Sequence, residues 1–110
     1  MKVLLIIPAY NEEENILRVC REIEEYSSEI DYVVINDGSR DKTKSILEEN
    51  HLNHVNLVHN LGIGGAVQTG YRYAYLHNYD IAIQFDGDGQ HDINYVKYIC
   101  EPIIEGKVNL

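Results

Sequence analysis

Two aspartates and a glutamine stand at alternate positions in the segment "DGDGQHD", which follows a short apolar run. They are Asp86, Asp88 and Gln90, and glycines occupy the positions between them. Two carboxylates this close repel each other, so the arrangement is unfavourable unless a cation lies between them or the segment is a solvated turn. Such oxygen ligands suit Mg²⁺ or Mn²⁺ and leave coordination positions for a diphosphate. The plain alternative is a glycine-rich surface turn that leads into a helix.

Two other kinds of site fit the same aspartates less well. An EF-hand loop that begins at Asp86 needs glycine at its sixth position and glutamate at its twelfth, where the chain has His91 and Lys97. A phosphatase of the haloacid dehalogenase type would use the first aspartate as its nucleophile, but it usually carries the motif on the first strand. The EF-hand is therefore excluded, and a metal-dependent phosphatase or nucleotidyltransferase remains an alternative.

Two further segments carry polar side chains directly after apolar runs. In "NDGSRDKT", Asp37 can accept hydrogen bonds from a base N–H or a ribose hydroxyl, although a tight turn explains the segment equally well. In "PAYNEEE", Tyr10 offers a flat face on which a base or ribose can pack. Asn11 and Glu14 have the spacing of a capping box, so they predict a helix start.

A glycine-rich segment, "HNLGIGGAVQTG", is similar to a dinucleotide-binding motif but does not match it. The third glycine of a G-x-G-x-x-G pattern starting at Gly62 would fall on Val67. Gly64 and Gly65 instead permit a close helix entry, and their backbone amides can face a phosphate or a sugar. Helix packing alone accounts for these glycines about equally well.

Strands and helices alternate along the chain. Apolar runs predict strands buried on both faces at 2–7, 31–36, 55–59 and 80–85. Helical periodicity between them predicts one helix around 16–23, a second over 42–50, a third over 64–77 and a fourth after Asp92. The pattern predicts a Rossmann-like α/β fold, with a mostly parallel sheet and helices on both faces. Ligands of such sheets bind beyond the carboxyl ends of the strands, where the three unusual segments fall.

Composition narrows the class of protein. The 110 residues are 45% hydrophobic, which is enough for one small domain with a core. The formal net charge of −9 argues against nucleic acid as a partner, because phosphate-backbone binding needs clustered Lys and Arg. Cys20 and Cys100 lack metal-ligand spacing and are predicted to be reduced core residues. No apolar stretch approaches the ~20 residues of a membrane span, so we expect a cytoplasmic location.

Four motifs together resemble the N-terminal half of a family 2 glycosyltransferase of the GT-A type. They occur in the family's order and spacing over nearly the whole chain: "IIPAYNEEENI", "VINDGSRDKT", "NLGIGGAVQTGYRYA" and "FDGDGQH". The glycine-rich segment and the Asp-x-Asp-x-Gln-His run are typical of the subgroup that includes dolichyl-phosphate mannose synthases and other polyprenyl-phosphate glycosyltransferases.

The resemblance implies roles for particular residues. The nucleotide-sugar pocket would be formed by Pro8, Ala9, Tyr10, Glu12, Asp37, Gly65 and Asp86. Asp86, Asp88 and Gln90 would hold Mg²⁺ or Mn²⁺ against the donor diphosphate. No catalytic residue is assigned, because the family's base and acceptor-site residues follow the metal motif and would lie past Leu110.

The resemblance also implies a reaction. The reaction is metal-dependent transfer of a sugar, with inversion, from a UDP- or GDP-sugar to a polyprenyl phosphate or a glycan. It would take place in the cytoplasm, and the full-length protein would act at the cytoplasmic face of a membrane. Residues 1–110 would be the donor-binding portion of a longer domain and would be inactive alone, so a non-catalytic nucleotide-sugar-binding or metal-binding module is the other alternative. An uncovered strand at 80–85 would favour self-association through the sheet edge.

Overall fold

The computed structural model describes residues 2–26 and 28–86. Within these ranges strands and helices alternate, and each element has definite bounds. The strands are β1 (Val3–Ala9), β2 (Ile30–Asn36), β3 (His54–Asn56) and β4 (Ile81–Gln84). The helices are α1 (Ile16–Tyr26), α2 (Thr43–Glu49) and α3 (Gly62–Leu76). The fourth predicted helix, after Asp92, lies outside the described residues.

The four strands form one parallel sheet in the order β3-β2-β1-β4. β1 is central, and Ile6 lies opposite Val33 of β2 on one side and Gln84 of β4 on the other. Six of the seven β1 residues are buried, as expected for a parallel strand covered on both faces. The prediction of a mostly parallel Rossmann-like sheet is confirmed.

The two faces of the sheet bury separate apolar clusters. Val3, Leu5 and Ile7 of β1 point to one face, where they pack with α1 and Leu47 of α2. Leu4 and Ile6 point to the other face, where they pack against α3. This division follows from the side-chain period of two in a strand. Because the helices cover opposite faces, the direction of strand succession reverses between β1 and β4.

Helix α3 lies very close to the sheet because small residues face it. Ala66, Gly70 and Ala74 are its buried residues and recur every four positions, which places them on one side of the helix. A Cβ atom added at Gly70 would overlap the Cγ2 atom of Ile6. Gly70 therefore permits the short distance between helix and strand.

The predicted bounds differ from the observed ones mainly at the ends. β3 is shorter than the predicted 55–59, although the amide of Leu57 still donates to the carbonyl of Asn36 at 2.9 Å. The capping role predicted for Asn11 is wrong. Asn11 has a left-handed backbone (φ 53°), and its Oδ1 accepts the amide of Arg40 at 2.8 Å instead of capping α1. The first turn forms instead around the carbonyl of Glu12, which accepts the amide of Ile16 at 2.9 Å.

Within the described residues, no helix combines the length and the apolar character that crossing a bilayer requires.

Candidate donor-binding cleft

The residues that follow β1, β2 and β4, described after β4 as far as Asp86, meet at the carboxyl edge of the sheet because these strands are parallel neighbours. Ala9 ends β1 opposite Asn36 of β2, and Ile6 pairs with Gln84 near the end of β4. The pairing continues past β4, since the amide of Phe85 donates to the carbonyl of Ile6 at 2.8 Å. The loop after β1 is thus flanked by Asp37 on one side and Asp86 on the other.

These loops and the first turns of α3 enclose a cleft of about 190 Å³. The cleft lies where the strand order reverses, which is the usual ligand position in open α/β sheets. Six of the seven residues predicted for the nucleotide-sugar pocket line it. The full lining is Pro8, Ala9, Tyr10, Glu12, Asp37, Ile63, Ala66 and Asp86.

Two larger clefts lie elsewhere and contain none of the predicted site residues. One of about 350 Å³ is at the amino edge of the sheet, beside Asp31 and Tyr79. The other, of about 340 Å³, lies next to β3 and includes Asn56 and Lys44. Size alone therefore does not identify the site. The convergence of acidic, aromatic and small residues at the point of strand reversal favours the smaller cleft.

Asp37 is fixed at the base of the cleft and is 4% exposed. Its amide donates to the carbonyl of Ala9 at 2.8 Å, and its Oδ1 accepts the amide of Leu61 at 2.7 Å. These bonds tie the β2 loop to β1 and to the start of α3. The second carboxylate oxygen, Oδ2, accepts no hydrogen bond from the described residues, so it can accept one from a ligand N–H or hydroxyl.

Gly38 explains why the chain can turn directly after Asp37. Its φ of +70° lies in the left-handed region, where glycine carries no steric cost. An added Cβ would also lie 2.8 Å from the backbone nitrogen of Asn60 and 3.0 Å from the carbonyl carbon of His59. Both constraints favour glycine, and together they bring the loop before α3 against the β2 loop.

Hydrogen bonds also join residues 11–13 of the β1 loop to residues 39–43, which run from the β2 loop to the first residue of α2. We call these contacts the interloop bridge. The amide of Asn11 donates to Ser39 Oγ at 2.9 Å, and Asn11 Oδ1 accepts the amide of Arg40 at 2.8 Å. The amide of Glu12 donates to Thr43 Oγ1 at 2.9 Å. Motifs far apart in the sequence therefore form one hydrogen-bonded edge of the cleft.

Asp41 completes the interloop bridge. Its Oδ2 accepts the amide of Glu13 at 3.2 Å, while Oδ1 accepts the Thr43 hydroxyl at 2.6 Å and the Thr43 amide at 2.9 Å. Burial raises the pKa of Asp41, but the hydrogen bonds from Thr43 and Glu13 outweigh that effect, so the pKa lies below its usual value. The carboxylate is therefore the form that the folded protein stabilises.

Comparison with known proteins identifies the family. The sequence profile described as "Glycosyl transferase family 2" matches residues 4–110. The chain belongs to this family. Among curated relatives, a UDP-N-acetylglucosamine–dolichyl-phosphate N-acetylglucosaminyltransferase from Methanococcus voltae is 36% identical, over 93% of this chain and 47% of that protein. A polyprenol monophosphomannose synthase from Mycolicibacterium smegmatis is 29% identical, over 82% of this chain and 36% of that one.

The chain therefore spans about half, or less, of the length of these family 2 relatives. Among solved structures, glucosyl-3-phosphoglycerate synthase from Mycobacterium tuberculosis in complex with Mn²⁺, UDP-glucose and phosphoglyceric acid matches with a TM-score of 0.76 at 22% identity. The match covers 96% of this chain and 40% of that chain. This likeness confirms the GT-A type of fold that the motifs predicted.

The electrostatics of the cleft fit a divalent cation. Among the described residues that line it, three are acidic, Glu12, Asp37 and Asp86, and none is Lys, Arg or His. Two unit charges 4 Å apart in a partly screened site interact by about 4 kcal/mol, so a bare diphosphate would be repelled here. A bound cation would supply the missing positive charge, and the carboxylate of Asp86 is a suitable hard ligand. Asp88 and Gln90, the other predicted ligands, lie outside the described residues.

Two cleft residues were missed by sequence reasoning, and one predicted residue lies away from the lining. Ile63 and Ala66 project into the cleft from the first turns of α3, while Gly65 is not among the lining residues. A Cβ added at Gly65 would lie 2.6 Å from the Cβ of Leu61, so this glycine permits the tight entry to α3. The spacing of three between positions 63 and 66 was the signal for a shared helix face.

Proposed function

We propose that residues 1–110 are the nucleotide-sugar-binding portion of a metal-dependent, inverting glycosyltransferase. The observation that carries the proposal is the convergence of three separate motifs on one cleft at the point of strand reversal. Membership of family 2 favours sugar transfer over the phosphatase and nucleotidyltransferase alternatives. The donor is a UDP- or GDP-sugar, and the acceptor is a polyprenyl phosphate or a glycan, in keeping with the names of the relatives.

The described residues would bind the nucleoside end of the donor. Tyr10, which is 44% exposed, offers a ring face to the base or ribose. Asp37 Oδ2 accepts a hydrogen bond from a base N–H or a ribose hydroxyl, while Oδ1 keeps its bond to Leu61. Pro8 and Ala66 line the cleft and exclude water from one side of the ligand.

The diphosphate would lie toward Asp86, on the β4 side of the cleft. When bound, Mg²⁺ or Mn²⁺ would be held by Asp86, with Asp88 and Gln90, and would stabilise negative charge on the departing diphosphate. In the proposed reaction an acceptor oxygen forms a bond to the anomeric carbon as the bond from that carbon to the diphosphate oxygen breaks. The nucleoside diphosphate leaves with the bonding electrons. A polyprenyl phosphate is already anionic near neutral pH, so its attack requires no strong base.

The partners and the location follow from the same proposal. A lipid-phosphate acceptor would place the full-length protein at the cytoplasmic face of a membrane. Within the described residues β4 is an edge strand, and its residues Ile81 to Ile83 are only partly buried. We therefore expect self-association through this edge. Sedimentation velocity should show a dimer whose fraction rises with protein concentration, and a monomer at every concentration would contradict this expectation.

Isothermal titration calorimetry with UDP and with GDP, each with Mn²⁺ and with EDTA, tests the proposal. We expect binding of one nucleotide that weakens at least tenfold without the metal, since a bare diphosphate faces acidic groups. Asp37→Asn should weaken binding ~10-fold or more, because a hydrogen bond to a charged group contributes ~1.5–3 kcal/mol. Its amide oxygen can keep the bond to Leu61, so stability should change little.

A matched control separates local chemistry from net charge. Asp80→Asn makes the same charge change at the amino edge of the sheet, where Asp80 Oδ2 accepts the amide of Lys2 at 2.7 Å. This variant should bind like the unaltered protein, whereas Asp86→Asn should lose most of the metal-dependent gain. Equal affinities for all three variants, or no binding of either nucleotide, would refute the proposed function.

A further inference from the structure

The interloop bridge holds an edge of the cleft whose side chains are mostly exposed. Tyr10, Asn11 and Glu13 are exposed, so apolar packing does little to fix this loop. Glu12, which lines the cleft, is held through its amide by Thr43 Oγ1. The hydrogen bonds that the amides of residues 11–13 donate to Ser39, Asp41 and Thr43 therefore help to fix where the β1 loop stands relative to Asp37.

Thr43 is fully buried and uses its hydroxyl in two directions. The oxygen accepts the amide of Glu12 at 2.9 Å, and the hydroxyl donates to Asp41 Oδ1 at 2.6 Å. Asp41 in turn accepts the amide of Glu13 through its other oxygen. Two side chains thereby fix two consecutive amides of the facing loop, and neither lines the cleft itself.

We propose that Asp41 and Thr43 are positioning residues for the donor nucleotide. By fixing the amides of Glu12 and Glu13, they set the separation between the β1 loop, with Tyr10 and Glu12, and Asp37 on the other side of the cleft. This inference rests on the proposed function, because it assigns the bridge a part in binding the same ligand.

A purely structural role for the pair would be to begin α2, which starts at Thr43. The contacts also show bonds that join Asp41 and Thr43 to the β1 loop. Two of the three bonds to Asp41, from the Thr43 amide and the Thr43 hydroxyl, join it to the start of α2. Thr43 Oγ1 and Asp41 Oδ2 accept amides of the β1 loop instead. A helix start alone gives no reason for these two oxygen atoms to point across to residues 12 and 13.

Thr43→Val and Thr43→Ser form the matched pair of variants. Valine has nearly the same shape but can neither accept the Glu12 amide nor donate to Asp41, whereas serine keeps both hydrogen bonds and loses one methyl group. The dissociation constant for the nucleotide that the unaltered protein binds, with Mn²⁺, should rise about tenfold in Thr43→Val, because small misplacements of binding groups carry large penalties. In Thr43→Ser it should stay within about twofold, because both bonds remain.

Amide hydrogen exchange measured by NMR without ligand gives an independent readout. Exchange at the Glu12 amide should be about tenfold faster in Thr43→Val than in Thr43→Ser, since its buried acceptor, Thr43 Oγ1, is lost. Titrations should be made at a temperature where circular dichroism shows all variants folded. If Thr43→Val does not fold, Asp41→Asn replaces it. Its oxygen can still bond Thr43, but its NH₂ group cannot accept the Glu13 amide, so a smaller rise of about threefold is expected.

The measurements distinguish the positioning role of Asp41 and Thr43 from the proposed nucleotide-sugar-binding function. Nucleotide binding that is unchanged in Thr43→Val and Asp41→Asn, even with lowered stability, would show a structural role only and would overturn the positioning role. No nucleotide binding by the unaltered protein would overturn the proposed function and this role with it. Weakened binding in Thr43→Val that Thr43→Ser restores would support both.

Discussion

Replacing Gly70 with alanine tests the close approach of α3 to the sheet. Alanine normally stabilises a helix interior by ~1 kcal/mol relative to glycine. At this position the new Cβ would overlap Ile6 Cγ2 and would lie 3.0 Å from Cγ1 and 3.1 Å from Cβ of the same side chain. Ile6 is fully buried in the central strand, so it cannot move aside. Overpacking of this kind costs ~1–3 kcal/mol.

The steric term should exceed the helix-propensity term at Gly70. The overlap with Ile6 Cγ2 places the steric cost in the upper part of its range, ~2–3 kcal/mol, so after the helix gain of ~1 kcal/mol we expect Gly70→Ala to lower the free energy of unfolding by about 1–2 kcal/mol. Gly64→Ala is the matched control, because it lies in the same helix and an added Cβ there meets no atom within 4 Å. That variant should be unchanged or more stable by up to ~1 kcal/mol.

The sign should reverse when the opposing side chain is removed. Ile6→Ala deletes both γ carbons, so adding Gly70→Ala to it should cost nothing or should stabilise the protein. The unaltered protein, Gly70→Ala, Ile6→Ala and the double variant are compared by urea denaturation in one osmolyte-containing buffer. Each curve gives a midpoint, and an unchanged m-value shows that unfolding stays cooperative. The proposed packing would be refuted if Gly70→Ala were as stable as the unaltered protein. It would also be refuted if Gly70→Ala lowered the free energy of unfolding equally with Ile6 and with Ala at position 6.

Three further predictions concern other positions. Gly38→Ala should lower the free energy of unfolding by ~2 kcal/mol or more in urea denaturation, because of its left-handed backbone and the contact with Asn60; a change under ~0.5 kcal/mol would contradict this. Because the pKa of Asp41 is lowered on folding, its stabilising effect is fully present above the pKa of the unfolded state and is lost as the pH falls through the lower pKa of the folded state. In Asp41→Asn the free energy of unfolding should therefore fall less steeply as the pH is lowered. An unchanged pH dependence would contradict a stabilising role for the ionised Asp41 carboxylate. Burial raises the pKa of Cys20 to about 12, so in a Cys100→Ser background a thiol reagent at pH 8 should react only after unfolding; rapid reaction of the folded protein would disprove burial.

Much of the site followed from the sequence because strand ends in a parallel sheet converge. Once β1, β2 and β4 were assigned from their continuous apolar runs, the residues that follow them had to meet at one edge. The structure brings Pro8, near the end of β1, together with Asp37 and Asp86 at one cleft, and their roles in binding stay predictions. This prediction needs no knowledge of distances between side chains, since the order and direction of the strands bring these positions together.

The remaining features depended on contacts between loops, which have no periodicity to read. Asn11 satisfies the local pattern of a helix cap, but its side chain bonds to Arg40 across the cleft edge. Tertiary competition for the same acceptor thus overrode a local signal. Asp41 and Thr43 likewise look like the start of a helix, and only the fold shows that they hold Glu12 and Glu13.

β1 pairs with a strand close in sequence on one side and with a distant one on the other. Val3 lies opposite Ile30 of β2 but also opposite Ile81 of β4, which emerges from the ribosome much later. Contacts of long sequence separation form slowly because loop-closure entropy opposes them. The half of the site beside Asp37 can therefore assemble early in synthesis, while the half beside Asp86 must wait for the last described strand. A nascent chain that stops before β4 would have formed a sheet but not yet a binding site.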